Sequence, residues 1–83
     1  MRSFIDTNVL LYADSGDEPV KHPQALALVE RQLELGTGVV STQVLHEFAN
    51  IALRKFGLPL SLLHERLRLY ARFEVVQASI ASL

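Results

Sequence analysis

Apolar positions along the chain alternate between short clustered runs and stripes at helical spacing. Phe4-Ile5 form the apolar centre of a segment, Arg2–Asp6, that reads as a buried strand. Thr7 then stands where a helix N-cap belongs, ahead of Val9-Leu10-Leu11-Tyr12-Ala13. The polar stretch Asp14-Ser15-Gly16-Asp17-Glu18-Pro19 has the composition of an exposed loop. A second helix opens near Pro23, carries Leu26, Val29 and Leu33, and stops at Gly36. Val39-Val40 read as the next short strand. Ser41 or Thr42 caps a third helix with Val44, Phe48, Ile51 and Ala52 on one side, ending at Gly57-Leu58-Pro59. Ser61 is expected to cap a fourth helix bearing Leu63, Leu67 and Tyr70, and Phe73–Gln77 read as a third strand.

This alternation predicts an α/β domain: a three-layer α/β/α sandwich with right-handed crossovers. Its mainly parallel sheet draws on segments near 2–6, 38–41 and 73–77. Ser79-Ile80-Ala81-Ser82-Leu83 read as the first turn of another helix, too short to be stable alone. The expectation is a domain truncated after its third strand. The first strand would then have an open edge, which invites pairing with a second chain and so a homo-oligomer, a dimer in the simplest case.

The chain has 83 residues, 49% of them hydrophobic and 20% charged, which suits one small domain with a core and argues against disorder. No cysteine is present, so a disulfide scaffold and a thiolate metal site are both set aside. No fully apolar run is longer than Val9–Ala13, far short of the ~20 residues a membrane span needs. Asp6 stands where a signal peptide would continue its apolar stretch. A soluble cytoplasmic protein without membrane contact is expected. The net charge is −1, but residues 54–83 hold five bases (Arg54, Lys55, Arg66, Arg68, Arg72) against two acids. Arg54 and Lys55 are the weak candidates for nucleic-acid contact, set against the plainer role of a solvated helix face.

Two acids draw attention. Asp6 closes the first strand, and the carboxyl ends of strands in an open α/β sheet are where ligands bind. A carboxylate there either caps the following helix or holds a cation. Glu47 lies on the third helix, bordering its buried stripe, and that helix starts from the same rim of a parallel sheet. Two carboxylates on one rim, with Asn8, Ser41 and Thr42 nearby, suit a hard cation such as Mg²⁺. The competing reading of Glu47 is a helix-flank acid favoured by the dipole. His46-Glu47 do not continue into a zinc-protease motif, because Asn50 stands where the second histidine belongs. His22 and His64 have no partner at ligand spacing and read as surface residues. There is no serine-histidine-acid set and no Gly-rich phosphate loop.

Phe4-Ile5-Asp6-Thr7-Asn8-Val9-Leu10-Leu11-Tyr12 resembles the opening signature of PIN-domain nucleases, especially VapC-type toxins. Val40-Ser41-Thr42-Gln43-Val44-Leu45-His46-Glu47-Phe48 is similar to that family's second signature, which ends in a helical glutamate. The order of strands and helices is also the family's, and with the alternation it implies the sheet order 3-2-1. The resemblance implies that Asp6 and Glu47 are catalytic, metal-binding acids, with Asn8 and Ser41 or Thr42 as supporting polar groups. It implies phosphodiester hydrolysis of RNA with Mg²⁺ or Mn²⁺ and, for a toxin of a type II pair, a cognate antitoxin protein as partner. The family has one or two further aspartates after its third strand, whereas no aspartate follows Phe73 here. The chain thus resembles the first part of a PIN domain and is expected to be inactive, or to show little nuclease activity, alone. A non-catalytic module that binds an antitoxin is the alternative reading. A phosphatase with Asp6 as nucleophile is weaker, since such enzymes want a second acid where Asn8 stands.

Overall fold

The computed structural model describes residues 2–77. The elements run β1 (Ser3–Phe4), α1 (Thr7–Asp14), α2 (Lys21–Leu35), β2 (Gly38–Ser41), α3 (Thr42–Arg54), α4 (Leu60–Tyr70) and β3 (Glu74–Val76). The strands form one parallel sheet in the order β1-β2-β3, as the alternation and the family resemblance together predicted. The helical turn expected at Ser79–Leu83 lies outside the described residues.

The register fixes which side chains share a face. Ser3 pairs with Gly38 and Phe4 with Val39, and the ladder continues with the Ile5 amide donating to the Val39 carbonyl at 2.9 Å. Successive residues of a strand point to opposite faces. Ile5, Gly38 and Val40 therefore share one face, and Val39 takes the other. Val39 and Val40 are both fully buried, so β2 is withdrawn from water on both sides. The core cluster that includes Val40 is built from Ile5, Leu10, Val29, Phe48, Tyr70 and Phe73 with Ala25 and Leu63, so all four helices contribute to it. Within it Phe48 meets Tyr70 edge-on at 5.3 Å, and Tyr70 stacks on Phe73 at 6.3 Å.

Gly38 is small for a reason. A Cβ there would fall 2.6 Å from Cε1 of Phe73 and 3.1 Å from Cδ1 of Ile5. Gly36, with φ of 68°, makes the left-handed turn that ends α2, and its amide donates to the Gln32 carbonyl. Thr37 Oγ1 donates to Gln32 Oε1 at 2.5 Å, which satisfies the buried Gln32 side chain and delivers the chain into β2.

Two caps differ from expectation. The N-cap of α1 is Asp6, not Thr7; its extended backbone (φ −91°, ψ 170°) and short carboxylate let it meet the Val9 amide. The fourth helix starts at Leu60 without a side-chain cap: the flanking Pro59 is extended (φ −58°, ψ 142°), has no side-chain acceptor, and its carbonyl accepts from the Leu63 amide at 2.9 Å. Ser61 lies inside it. Among the described residues β1 pairs with β2 alone, and Phe4 on it is 74% exposed. No helix among them is long and apolar enough to cross a membrane.

Candidate metal and nucleic-acid site

Because the sheet is parallel, β1 and β2 deliver their carboxyl ends to one rim. Each strand passes into a helix with almost no loop: Asp6 separates Ile5 from α1, and Ser41 ends β2 as α3 begins. Both junction side chains cap their helices. Asp6 Oδ1 accepts from the Val9 amide at 3.0 Å, and Ser41 Oγ accepts from the Val44 amide at 3.1 Å. Each bond satisfies an amide that the first turn leaves without an intrahelical partner.

Glu47 is tied to this rim from two sides. Its Oε2 accepts from Thr7 Oγ1 at 3.0 Å, and its Oε1 accepts from Gln43 Nε2 at 3.2 Å. The first bond crosses from α3 to α1 and lands beside Asp6; the second joins positions one helical turn apart. Sequence reasoning named Glu47 and Asp6 but missed both tethers. The signal for Gln43 was its spacing of four from Glu47, and Thr7 was assigned to the cap that Asp6 makes. Glu47 is more exposed than its place beside the buried stripe suggested.

The donor chemistry fits a hard divalent cation. Each carboxylate offers about four lone-pair sites, of which the hydrogen bonds named here use one on Asp6 and two on Glu47. Both residues are exposed, so a cation bound by them keeps waters, as Mg²⁺ prefers. Among the described residues no three His, Cys, Asp or Glu side chains converge as a metal cluster. The set is a pair of acids with neutral helpers. Of the other predicted residues, Ser41 is engaged as a cap, Thr42 is the half-buried first residue of α3, and Asn8 is exposed on α1.

A groove of about 670 Å³ lies between α1 with its following loop and the last turns of α3. Asn8, Arg54 and Lys55 line it, so these sequence-predicted residues share one depression. Two contacts fix the wall made by α1. Asp14 accepts from Arg66 Nε of α4 at 2.6 Å. That hydrogen bond, with the attraction of the Asp14 charge, raises the guanidinium further above its ordinary range. Nearby Tyr70 is pushed up to about 12, chiefly by burial and then by the Asp14 charge. The second contact is made by His22, which is half-buried and not the free surface residue expected: its Nδ1 lies 2.8 Å from the Tyr12 carbonyl, joining α2 to α1.

A family model described as PIN domain matches residues 3–82. The comparisons with curated proteins and with solved structures gave no match. PIN domains are generally nucleases, so the coarse function is that of a nuclease-type hydrolase. The match covers nearly the whole chain, both signature segments included, and the chain belongs to the PIN domain family.

Proposed function

We propose that this protein is a metal-dependent endoribonuclease whose divalent cation, Mg²⁺ or Mn²⁺, is held by Asp6 and Glu47. The observation that carries the reading is the Thr7–Glu47 hydrogen bond, which ties the helical glutamate to the segment that follows Asp6. Two carboxylates from different strand-to-helix junctions then serve one rim. When bound, the cation lowers the pKa of a water ligand and offsets charge on the scissile phosphate. Asp6 holds its carboxylate in place through the Val9 amide, leaving Oδ2 for the cation. Glu47, fixed by Thr7 and Gln43, orients the attacking water and accepts its proton. Asn8 and Thr42, two residues from Asp6 and five from Glu47, are neutral supporting groups, and Arg54 and Lys55 contact phosphates further along the strand.

The finer biological reading rests on the resemblance to VapC-type toxins. In it the protein is the cytoplasmic toxin of a type II pair, with RNA as substrate, an antitoxin protein as partner and a second copy across the open edge of β1. Two acids hold a hydrated cation loosely, so the 83 residues alone are expected to cleave slowly. The alternative, a non-catalytic module that binds an antitoxin, draws on the edge of β1 that no strand covers among the described residues and on the exposed Phe4 there.

Paramagnetic Mn²⁺ separates the two. Added in small amounts to isotope-labelled protein, it should broaden the amide signals of Asp6–Asn8 and of the Thr42–Glu47 turn before any others. Broadening elsewhere, or none at this rim, removes the basis for a metal-dependent nuclease and leaves the binding module.

A further inference from the structure

The groove between α1 and α3 has a feature that the nuclease reading leaves unexplained: its walls carry opposite charge. Arg54 and Lys55 stand on the α3 side, while Asp17 and Glu18 stand on the loop that follows α1. All four are exposed, and among the described residues none of them forms an ion pair. A channel shaped only to follow a phosphate backbone gains nothing from two carboxylates, which repel the strand. A site for a purely basic peptide gains nothing from the two cations.

The remaining lining narrows the ligand. Phe56, 45% exposed, offers an apolar ring face at the end of α3. Tyr12 forms part of the floor, its ring covered by Lys21 Nζ at 4.9 Å from the centroid, so Phe56 is the freer stacking surface. Asn50 adds an amide from α3. The groove is built on the same two helices as the proposed cation site: Asn8 is two residues beyond Asp6, and Asn50 and Arg54 are three and seven residues beyond Glu47. At 1.5 Å per residue, Arg54 sits about 10 Å along the axis from Glu47. A few nucleotides of one strand span that distance.

We propose that this groove binds an unpaired nucleotide flanking the scissile phosphate and selects guanine there. The phosphate lies against Arg54 and Lys55, the base stacks on Phe56, and its Watson–Crick edge faces Asp17 and Glu18. Guanine is the base whose edge presents an imino N–H beside an amino group, two parallel donors for one carboxylate. Uracil presents carbonyl oxygens on either side of a single N–H, and adenine presents a bare ring nitrogen; both leave a carboxylate facing an acceptor. The inference rests on the nuclease reading and adds to it the strand position and base that the protein recognises.

The test is metal-free binding, which separates this inference from the chemistry. Fluorescently labelled single-stranded RNA hexamers, all uridine or with one guanosine or one adenosine, are titrated with protein in EDTA and followed by anisotropy. The guanosine hexamer should bind roughly tenfold tighter than the other two, in keeping with one good edge contact. Arg54→Glu with Lys55→Glu should weaken all three hexamers by at least about tenfold. Asp17→Asn with Glu18→Gln should abolish the guanosine preference while leaving the all-uridine hexamer bound at least as well. Phe56→Ala should weaken all three by about tenfold, the loss of one stacked base. Circular dichroism of each variant shows that it is folded; these side chains are exposed, so it should be.

Equal binding of the three hexamers, or charge reversal at Arg54 and Lys55 without effect, overturns the proposal. So does a peptide carrying both charges that occupies the groove while the RNA does not. Should Mn²⁺-dependent cleavage depend on Glu47 while these binding results fail, the nuclease reading stands and the groove assignment alone falls.

Discussion

Asp6 has two jobs in this account, and they can be pulled apart. As the N-cap of α1 its Oδ1 accepts the Val9 amide at 3.0 Å, while its negative charge is what a cation needs. Asp6→Ala removes both. An N-cap lost to alanine costs about 1 kcal/mol, with a range of roughly 0.5–2. The helix it starts carries Leu10 and Leu11 into the core, so the loss should appear in global unfolding and not only as fraying at one end. For a domain of this size 1 kcal/mol lowers the melting temperature by roughly 4–8 °C. Asp6→Asn keeps a capping oxygen of similar quality and loses only the charge, along with a dipole interaction of at most about 1 kcal/mol. It should melt closer to the parent than Asp6→Ala does. Mn²⁺-dependent cleavage should nonetheless fall to background in both variants. Thermal melts by circular dichroism and cleavage of a labelled RNA give the two readouts. If Asp6→Asn melts as low as Asp6→Ala, the capping argument is wrong. If Asp6→Asn still cleaves RNA at the parent rate, the carboxylate is only a cap.

Gly38→Ala should destabilise by about 1–3 kcal/mol, because the new methyl group meets the Phe73 ring; Phe73→Leu should recover part of that loss in a double-mutant cycle. Phe48→Ala, which empties the fully buried site packed edge-on against Tyr70, should cost about 3–5 kcal/mol and leave the domain largely unfolded at 37 °C by circular dichroism. Tyr70 supplies a pH signature. Its folded-state pKa of about 12 exceeds the ordinary 10.0, so its contribution is complete below pH 10 and is lost as pH rises toward 12. Urea melts across that window should lose up to about 2–3 kcal/mol in the parent and less in Tyr70→Phe; equal losses would remove Tyr70 as the cause.

The parts of the fold that could be read from sequence are those set by local pattern. The parallel order of the strands follows from helices that intervene between short apolar runs. The stop at Gly36 follows from the left-handed turn that glycine makes without strain. The shift of the cap from Thr7 to Asp6 depends on one residue of strand length: the Ile5 amide is still in the ladder, so the helix starts as soon as Asp6 leaves it. Propensity does not separate two adjacent capping residues. Asp6 and Glu47 stood out because chemistry at strand ends is a general property of parallel sheets. The Thr7–Glu47 bond, 40 residues apart in sequence, depends on how α1 and α3 cross, and no local spacing encodes that. The opposed charges of the groove were hidden for the same reason. Asp17 and Glu18 look like loop solubility until α3 brings Arg54 and Lys55 across from them.

The central claim, that Asp6 and Glu47 hold a cation that cleaves RNA, is tested most directly through Glu47, which does not cap a helix. The measurement is the initial rate of cleavage of a single-stranded RNA by the parent protein and by Glu47→Gln. Both are assayed with Mn²⁺, with Mg²⁺ and with EDTA. Glutamine keeps the length of the side chain and an oxygen for the Thr7 hydroxyl, so the fold should be unchanged. The account predicts cleavage by the parent with either metal, however slow, none with EDTA, and loss of the metal-dependent rate in Glu47→Gln. Cleavage by Glu47→Gln at the parent rate, or parent cleavage that EDTA does not reduce, would contradict it.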